Sequence, residues 1–332
     1  MPDWSYRTVF RPLLFRLPFG MARDLALGSM GLLSRLPLGS WVIEFLGHMR
    51  PDPRLRTPLG PLLLDSPVVI GPWLDRRIVA TAALSRFGVG MIELAPGGTA
   101  AANDSRCECD GRECLRIAVD NVEIATNRHF ERLERSRPVV PLMLRLAGSA
   151  EQVVGRVSNP SDEDRLETCP TAISLATLEQ AISEAWPLDD WAKHVESIQF
   201  AMPQTPPGNQ PLFLVLSADA DFARALPYLR KALEHSIAGL VMDGRIAGGN
   251  ADWLVGRPAL EPALALTRRL REELGSSLPI IAGGADDPQS ALELLAAGAT
   301  AVQIDAALAF AGPGLPKRIN DAVLFARCHS PL

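Results

Sequence analysis

An α/β fold, a (β/α)8 TIM barrel preceded by an N-terminal helical segment, is the architecture the sequence predicts, on three observations. Short β-branched or leucine-rich runs alternate with longer helical patterns from residue 66 onward, the runs are continuously apolar, and eight of them can be marked. Eight is the strand number of such a barrel, and unbroken apolarity marks strands buried on both faces, as in a parallel sheet wrapped by helices. A chain of 332 residues, 47% apolar and 21% charged, has the material for one large core and excludes wholesale disorder.

The predicted strands are Pro67–Gly71, Gly90–Leu94, Val139–Leu146, Ser197–Phe200, Leu212–Leu216, Gly239–Met242, Leu278–Ala282 and Ala301–Ile304. Between the last two, Asp286-Asp-Pro-Gln-Ser opens a helix with acids and a first-turn proline, and Gly298 closes it. Two parts follow: a helical segment over 1–50, and a barrel over 51–332 with insertions at 103–122 and 161–190.

Residues 1–50 carry six arginines against three acids, with apolar residues at helical spacing, but Arg11, Arg16, Pro18, Arg23 and Arg35 interrupt every run before bilayer-spanning length. Short amphipathic helices are expected, packed on the barrel or lying on a lipid surface. In the first insertion, Asp110-Gly111 is a two-residue hairpin turn that pairs position 107 with 114 and puts Cys107, Cys109 and Cys114 on one face. Without a fourth ligand at metal spacing, reduced surface thiols are expected there rather than a zinc site. The second insertion holds eight acids against Arg165 and reads as a solvated face.

The net charge of −5, from 33 basic and 38 acidic residues, offers no field for a phosphate backbone, so no nucleic-acid partner is expected. Five cysteines in so long a chain, with no cleavable leader pattern, point to a cytoplasmic protein, peripheral to the membrane if residues 1–50 meet lipid. The five histidines are isolated, and no nucleotide-binding glycine loop or nucleophile elbow occurs.

Family resemblance enters with the C-terminal third. Gly256-Arg-Pro, then Leu278-Pro-Ile-Ile-Ala-Gly-Gly284, then Ala296-Ala-Gly-Ala-Thr-Ala-Val-Gln-Ile304, then Gly312-Pro-Gly-Leu, resemble the quinone-dependent, class 2 dihydroorotate dehydrogenases in order and spacing. Tyr6-Arg-Thr-Val-Phe-Arg-Pro-Leu-Leu-Phe-Arg16 is similar to that family's membrane-associated helices, which frame a quinone tunnel. The resemblance implies FMN at the C-terminal mouth of the barrel and oxidation of dihydroorotate to orotate, with a serine base in an N-x-x-S-P-N-T motif.

Set on that motif, Gln199-Phe-Ala-Met-Pro-Gln-Thr205 places Met202 at the general-base position, and a thioether moves no proton. Gln199 and Gln204 stand for the two substrate asparagines, Val215 for the fifth-strand lysine and Arg145 for the third-strand asparagine. Gly244 replaces the flavin-contacting amide, and Asp75-Arg76 replaces an Asp-Lys pair. Gly256, Gly283 and Gly284 remain as a remnant phosphate site. Asp286 and Asp287 crowd it, unless they only cap their helix, and Asp305-Ala306 replaces its hydroxyl donors.

The expectation is therefore a pseudoenzyme: no bound cofactor, with FMN as the alternative, and a barrel repurposed for partner binding or non-redox chemistry on an unknown small molecule or protein. Two other readings stay open. One is a divergent FMN-dependent oxidoreductase with another substrate. The other is a metal-assisted or acid–base lyase, isomerase or cyclase using Asp243 and Asp305, which join Asp75, Arg76, Glu93, Arg145 and Arg245 near strand ends. The glycine-rich stretch 244–252 is expected to form a flexible lid.

Overall fold

The computed structural model describes residues 6–36, 39, 41, 43, 50–94, 105–109, 112–118, 138–146, 172–201, 204–205, 208–249 and 252–329. Eight parallel strands close into a barrel: β1 (Val68–Ile70), β2 (Met91–Leu94), β3 (Leu142–Leu146), β4 (Ala172–Leu175), β5 (Leu212–Ser217), β6 (Gly239–Asp243), β7 (Ile280–Ala282) and β8 (Ala301–Ile304). Each pairs with its sequence neighbour, and β8 returns to β1 through Gln303 opposite Val69.

The barrel interior is apolar because inward positions of the strands carry Val69, Met91, Met143, Phe213, Val215, Val241 and Ile281, all buried. A hairpin of Thr57–Leu59 and Leu62–Leu64, turned at Gly60 with φ +60°, closes the N-terminal end with Leu59 and Leu64. Outside the strands, helices lay their apolar stripes on the sheet. The helix Phe222–Leu233 starts where the Asp221 side chain accepts from Ala223 and Arg224 N–H, and buries Ala225 and Leu229. Leu260–Leu274 ends at Gly275, whose φ of +76° suits a residue without a Cβ.

One strand lies elsewhere than expected. Ser197–Phe200 belongs to the amphipathic helix Leu188–Ala201, and the fourth barrel strand is Ala172–Leu175, inside the acidic segment 161–190. Buried Trp191, Val195 and Ile198 give that helix its core face, a helical period that imitates a strand in so short a window. Four of the eight acids, Asp162, Glu163, Asp164 and Glu167, lie with Arg165 outside the described residues.

Two insertions meet over the C-terminal mouth. Ser105–Cys109 and Arg112–Ala118 form the hairpin that Asp110-Gly111 predicts, with Cys107 opposite Cys114. Asp252–Gly256 then adds to Arg112–Ala118, and Arg245–Ala247 adds to Asp252–Gly256, in a four-stranded antiparallel sheet. Within the segment expected to be a flexible lid, Arg245–Ala247 and Asp252 are thus paired strand. Cys107 and Cys114, expected as reduced thiols, are joined in a disulfide, with Cα atoms 5.3 Å apart; facing positions in an antiparallel pair supply that spacing.

In the N-terminal segment, one π-helical turn (Tyr6–Phe10), a short helix (Arg11–Leu14) and the long helix α1 (Phe19–Arg35) pack near this sheet. Arg106 donates to the carbonyls of Phe15 and Leu17, and the rings of Phe15 and Phe310 meet edge to face at 6.0 Å. No described helix is long and apolar enough to cross a membrane.

Candidate active site at the barrel mouth

Charged residues expected near strand ends converge at the C-terminal ends of β2, β3 and β6. Arg145, on β3, donates from Nε and Nη2 to the two carboxylate oxygens of Glu93 on β2 at 2.8 Å each, and from Nη1 to Asp243 Oδ2 at the end of β6. Ser174 on β4 and Gln303 on β8 also donate to Glu93, so one carboxylate ties four strands together. Arg245 lies with Nε 3.0 Å from Asp243 Oδ2 and donates from Nη2 to Glu179. Glu179 accepts in turn from the backbone N–H of Ser217 at the end of β5.

All these groups except Glu179 are buried, and a buried charge is tolerated only when paired and hydrogen-bonded. Burial alone pushes the Asp243 carboxyl up, but the Arg145 and Arg245 charges outweigh it and hold the group below its ordinary range.

Trp73, which follows β1, completes the closure. Its indole Nε1 donates to Asp243 Oδ1 at 2.8 Å and its backbone N–H donates to Asp305 Oδ1 at 3.0 Å. Guanidinium carbons of Arg145 and Arg245 both lie 5.6 Å from its ring centre, a cation–π arrangement. Trp73 therefore brings together the two aspartates singled out from sequence, Asp243 and Asp305. Their environments differ: Asp305 Oδ2 is buried with no hydrogen-bond partner, pressed over the backbone of Gly71, where even a Cβ would stand 2.1 Å from it. Burial, reinforced by the nearby Asp243 charge, pushes the Asp305 carboxyl well above the usual range.

Arg76 meets this network at Trp73, its guanidinium carbon 5.8 Å from the ring centre, whereas Asp75 is engaged elsewhere. Asp75 accepts from the Val79 and Ala80 N–H groups and the Thr81 hydroxyl, and burial raises it to about 6. Arg76 lines a pocket against α1. Val215, at the position of the family's lysine, is in the barrel's inner core.

The glycines of the remnant phosphate site are needed by chain packing itself. A Cβ on Gly283 would meet Gly244 N at 2.1 Å, and one on Gly284 (φ +96°) would meet the Ala259 and Leu260 backbone at 3.2 Å. Gly256 (φ +110°) lies against the Ala306 Cβ. Asp287 caps the helix Pro288–Ala296 in a reciprocal capping box with Ser290, and Asp286 pairs with Arg257 at 2.8 Å. The acids expected to crowd this site therefore serve the helix start and an ion pair.

Met202 lies outside the described residues. The segment before it, Leu188–Ala201, is helix. Gln199 donates to the His235 carbonyl, away from the barrel mouth. Among the described residues no group of three or more His, Cys, Asp or Glu could hold a metal ion. His194 stacks on Trp191 at 5.8 Å, a core role.

Sequence reasoning missed four members of the network, Trp73 among them. Ser174 was hidden by the displaced fourth strand. Glu179 sits in a run of acids that resembles a solvated face, and Gln303 sits in a strand whose remaining residues are apolar.

Beside the mouth, the N-terminal helices roof an apolar cavity of about 440 Å³, with walls that include Phe10, Leu14, Phe19, Met30, Phe87 and Phe310.

A family model described as Dihydroorotate dehydrogenase matches residues 241–324. Among curated proteins, the dihydroorotate dehydrogenase (quinone) of Chloroflexus aurantiacus is 27% identical, with 96% of each chain covered. That of Kineococcus radiotolerans is 24% identical, over 95% of this chain and 93% of its own. A crystal structure of DHODH in complex with ferulenol from Eimeria tenella covers 96% of each chain with a TM-score of 0.71 at 16% identity, a likeness of fold.

These matches correct the expectation of no cofactor: the relatives are dihydroorotate dehydrogenases, whose chemistry runs on FMN, so they point to FMN. The residues present fit that cofactor incompletely. The close-approach glycines stand at the phosphate end. At the ring end, the positions implied to contact flavin are taken by the Arg145 ion pairs, by apolar Val215 and by the contact of Gly244 with Gly284.

Proposed function

We propose that this chain, which belongs to the dihydroorotate dehydrogenase family and to its quinone-dependent branch, is a divergent member that binds a lipophilic ligand beside the barrel and does not oxidise dihydroorotate. The observation that carries the reading is the pairing of an apolar cavity under the N-terminal helices with a mouth filled by side chains bonded to one another. In the cavity, Tyr6, Phe15 and Phe310 offer aromatic edges and faces to a flat apolar headgroup, and Tyr6 is anchored by its hydroxyl donating to the Ala309 carbonyl.

At the mouth, the charges of Glu93 and Asp243 are matched by those of Arg145 and Arg245, so the polar groups that would orient a small anionic substrate are engaged with one another. Among the described residues, neither aspartate of the mouth suits the acceptance of a proton from dihydroorotate: the Arg145 and Arg245 charges hold Asp243 below its ordinary range, which weakens it as a base, and burial pushes Asp305 towards its protonated form.

The test is to incubate the full chain with FMN, then supply dihydroorotate and decylubiquinone and follow quinone reduction, with decylubiquinone binding measured separately. Binding without dihydroorotate-dependent reduction is expected. Turnover with dihydroorotate would overturn the first half of the reading, and failure of decylubiquinone to bind would overturn the second.

A second reading, acid–base chemistry at the mouth, is favoured by one observation: a single tryptophan bridges two aspartates whose carboxyls are pushed in opposite directions, Asp243 down by its arginines and Asp305 up by burial, the divergence expected of a base and an acid. Asp243→Asn and Asp305→Asn should each abolish such turnover.

A further inference from the structure

The hairpin over the mouth is a junction of three parts of the chain. Its strands, Ser105–Cys109 and Arg112–Ala118, carry the disulfide between Cys107 and Cys114, and the residue beside each cysteine holds the N-terminal segment. Glu113 accepts from Arg11 Nη2 on both carboxylate oxygens. Arg106 donates to the Phe15 and Leu17 carbonyls, with its guanidinium carbon 4.3 Å from the Phe15 ring centre. On the other edge Cys114 stands opposite Gly256, in the strand Asp252–Gly256 that follows β6.

Alternation along the strands separates the two faces of this sheet. Leu115 and Ile117 pack with Phe15, Phe19 and Phe310 on the inner face. Cys107 and Cys114 lie on the opposite face, Cys114 fully buried and Cys107 half-buried. The sulfur within reach of a thiolate from solvent is therefore that of Cys107, with Cys114 as the leaving group.

We infer that this disulfide is a redox clasp: oxidised, it holds the hairpin on which the N-terminal segment and the strand Asp252–Gly256 both rest, and reduced, it releases that hairpin and with it the cover of the mouth. The reductant supplies two thiols. A thiolate attacks Cys107 Sγ, the S–S bond breaks, and Cys114 leaves as a thiolate that takes up a proton. A second thiolate then attacks the mixed disulfide and frees Cys107, and the reductant departs as its own disulfide, two electrons and two protons having passed to the protein. Surroundings in which glutathione keeps thiols reduced open the clasp, and oxidising ones close it.

The link governs the cover more than the barrel. A two-stranded hairpin is marginal in water by itself, and a cross-link between positions seven apart limits the disorder that its opening would gain. The barrel strands are paired on both edges and stand without it.

Hydrogen exchange of the full chain, read by peptide mass with and without dithiothreitol, tests this. Amides of Arg112–Ala118 and Asp252–Gly256 are expected to exchange about tenfold faster after reduction, while those of Leu212–Ser217 and Ala301–Ile304 keep their rates. Cys107→Ala with Cys114→Ala should exchange at the reduced rate in both conditions, which separates loss of the cross-link from any other action of the reductant. Equal exchange of the cover in the two states overturns the inference. So does an acceleration spread evenly over the barrel strands, the mark of a link that only adds to global stability.

Should the variant fail to fold, the native chain in glutathione decides. Iodoacetamide labelling of Cys107 and Cys114 should climb from none to nearly complete as reduced glutathione goes from a trace to about a hundredfold excess over the oxidised form. Labelling that stays at zero throughout shows a permanent staple, and complete labelling before any reductant is added shows that no link forms; either result sinks the proposal.

Discussion

Trp73 Nε1 donates a 2.8 Å hydrogen bond to Asp243 Oδ1, so the residue that follows the first barrel strand closes onto the end of the sixth. The relatives point to FMN, and a flavin ring seated at this mouth would have to share it with this contact. Trp73→Ala removes a hydrogen bond to a charged acceptor and empties an indole's volume at the mouth. FMN affinity, measured by quenching of flavin fluorescence, should rise by about tenfold or more. Unchanged or weaker affinity would show that this contact does not govern entry.

Arg145 is the keystone of the network, with its side chain 5% exposed between Glu93 and Asp243, whose side chains are fully buried. Arg145→Met takes from Glu93 its arginine partner and leaves Asp243 with Arg245 alone, and the unfolding free energy in urea should fall by about 3–5 kcal/mol. A loss within the range of an ordinary surface substitution would mean that the carboxylates find protons or water instead.

Two buried acids tie stability to pH in the same direction. Asp305 is raised well above the ordinary carboxyl value, and Asp75 is raised to about 6, both chiefly by burial. A carboxyl raised on folding favours the native state while the unfolded chain is also protonated. That contribution is complete below about pH 3.9 and is lost as pH climbs through the folded value. For Asp75 the decline therefore falls between about pH 4 and 6; for Asp305 it extends higher. Asp305→Asn keeps an acceptor for the Trp73 N–H and carries no ionisation cost, so its melting temperature should gain most at pH 8 and least at pH 4. An equal shift at both values would contradict the assignment.

The outer face of the N-terminal helices is apolar where it meets solvent: Leu13 is 59% exposed, Met21 61% and Leu32 63%. Arginines 11, 16 and 35 lie among them. A lipid surface suits such a face. The full chain should co-sediment with vesicles containing anionic lipid, and Leu13→Asp with Leu32→Asp should return it to the supernatant; equal recovery of both forms in the pellet would exclude this face as the contact.

Legibility in the sequence followed the length and purity of each signal. Ala301–Ile304 and Leu212–Leu216 are unbroken apolar runs and became β8 and β5. Asp110-Gly111 fixed a register down to the pairing of Cys107 with Cys114. Ser197–Phe200 misled because four residues cannot distinguish a period of two from one of 3.6. Asp243, Arg145 and Asp305 were recognisable as chemistry-bearing residues at strand ends. That Trp73 joins the two aspartates was not, because the bond spans 170 positions and depends on barrel closure.

The sheet above the mouth is sewn from two loops, one following β2 and one following β6, through the pairing of Arg112–Ala118 with Asp252–Gly256. Opposite sides of the cylinder therefore share a single hatch. Solute traffic into the barrel has to swing both loops at once or pass beneath them, and a local loosening on one side is felt directly on the other.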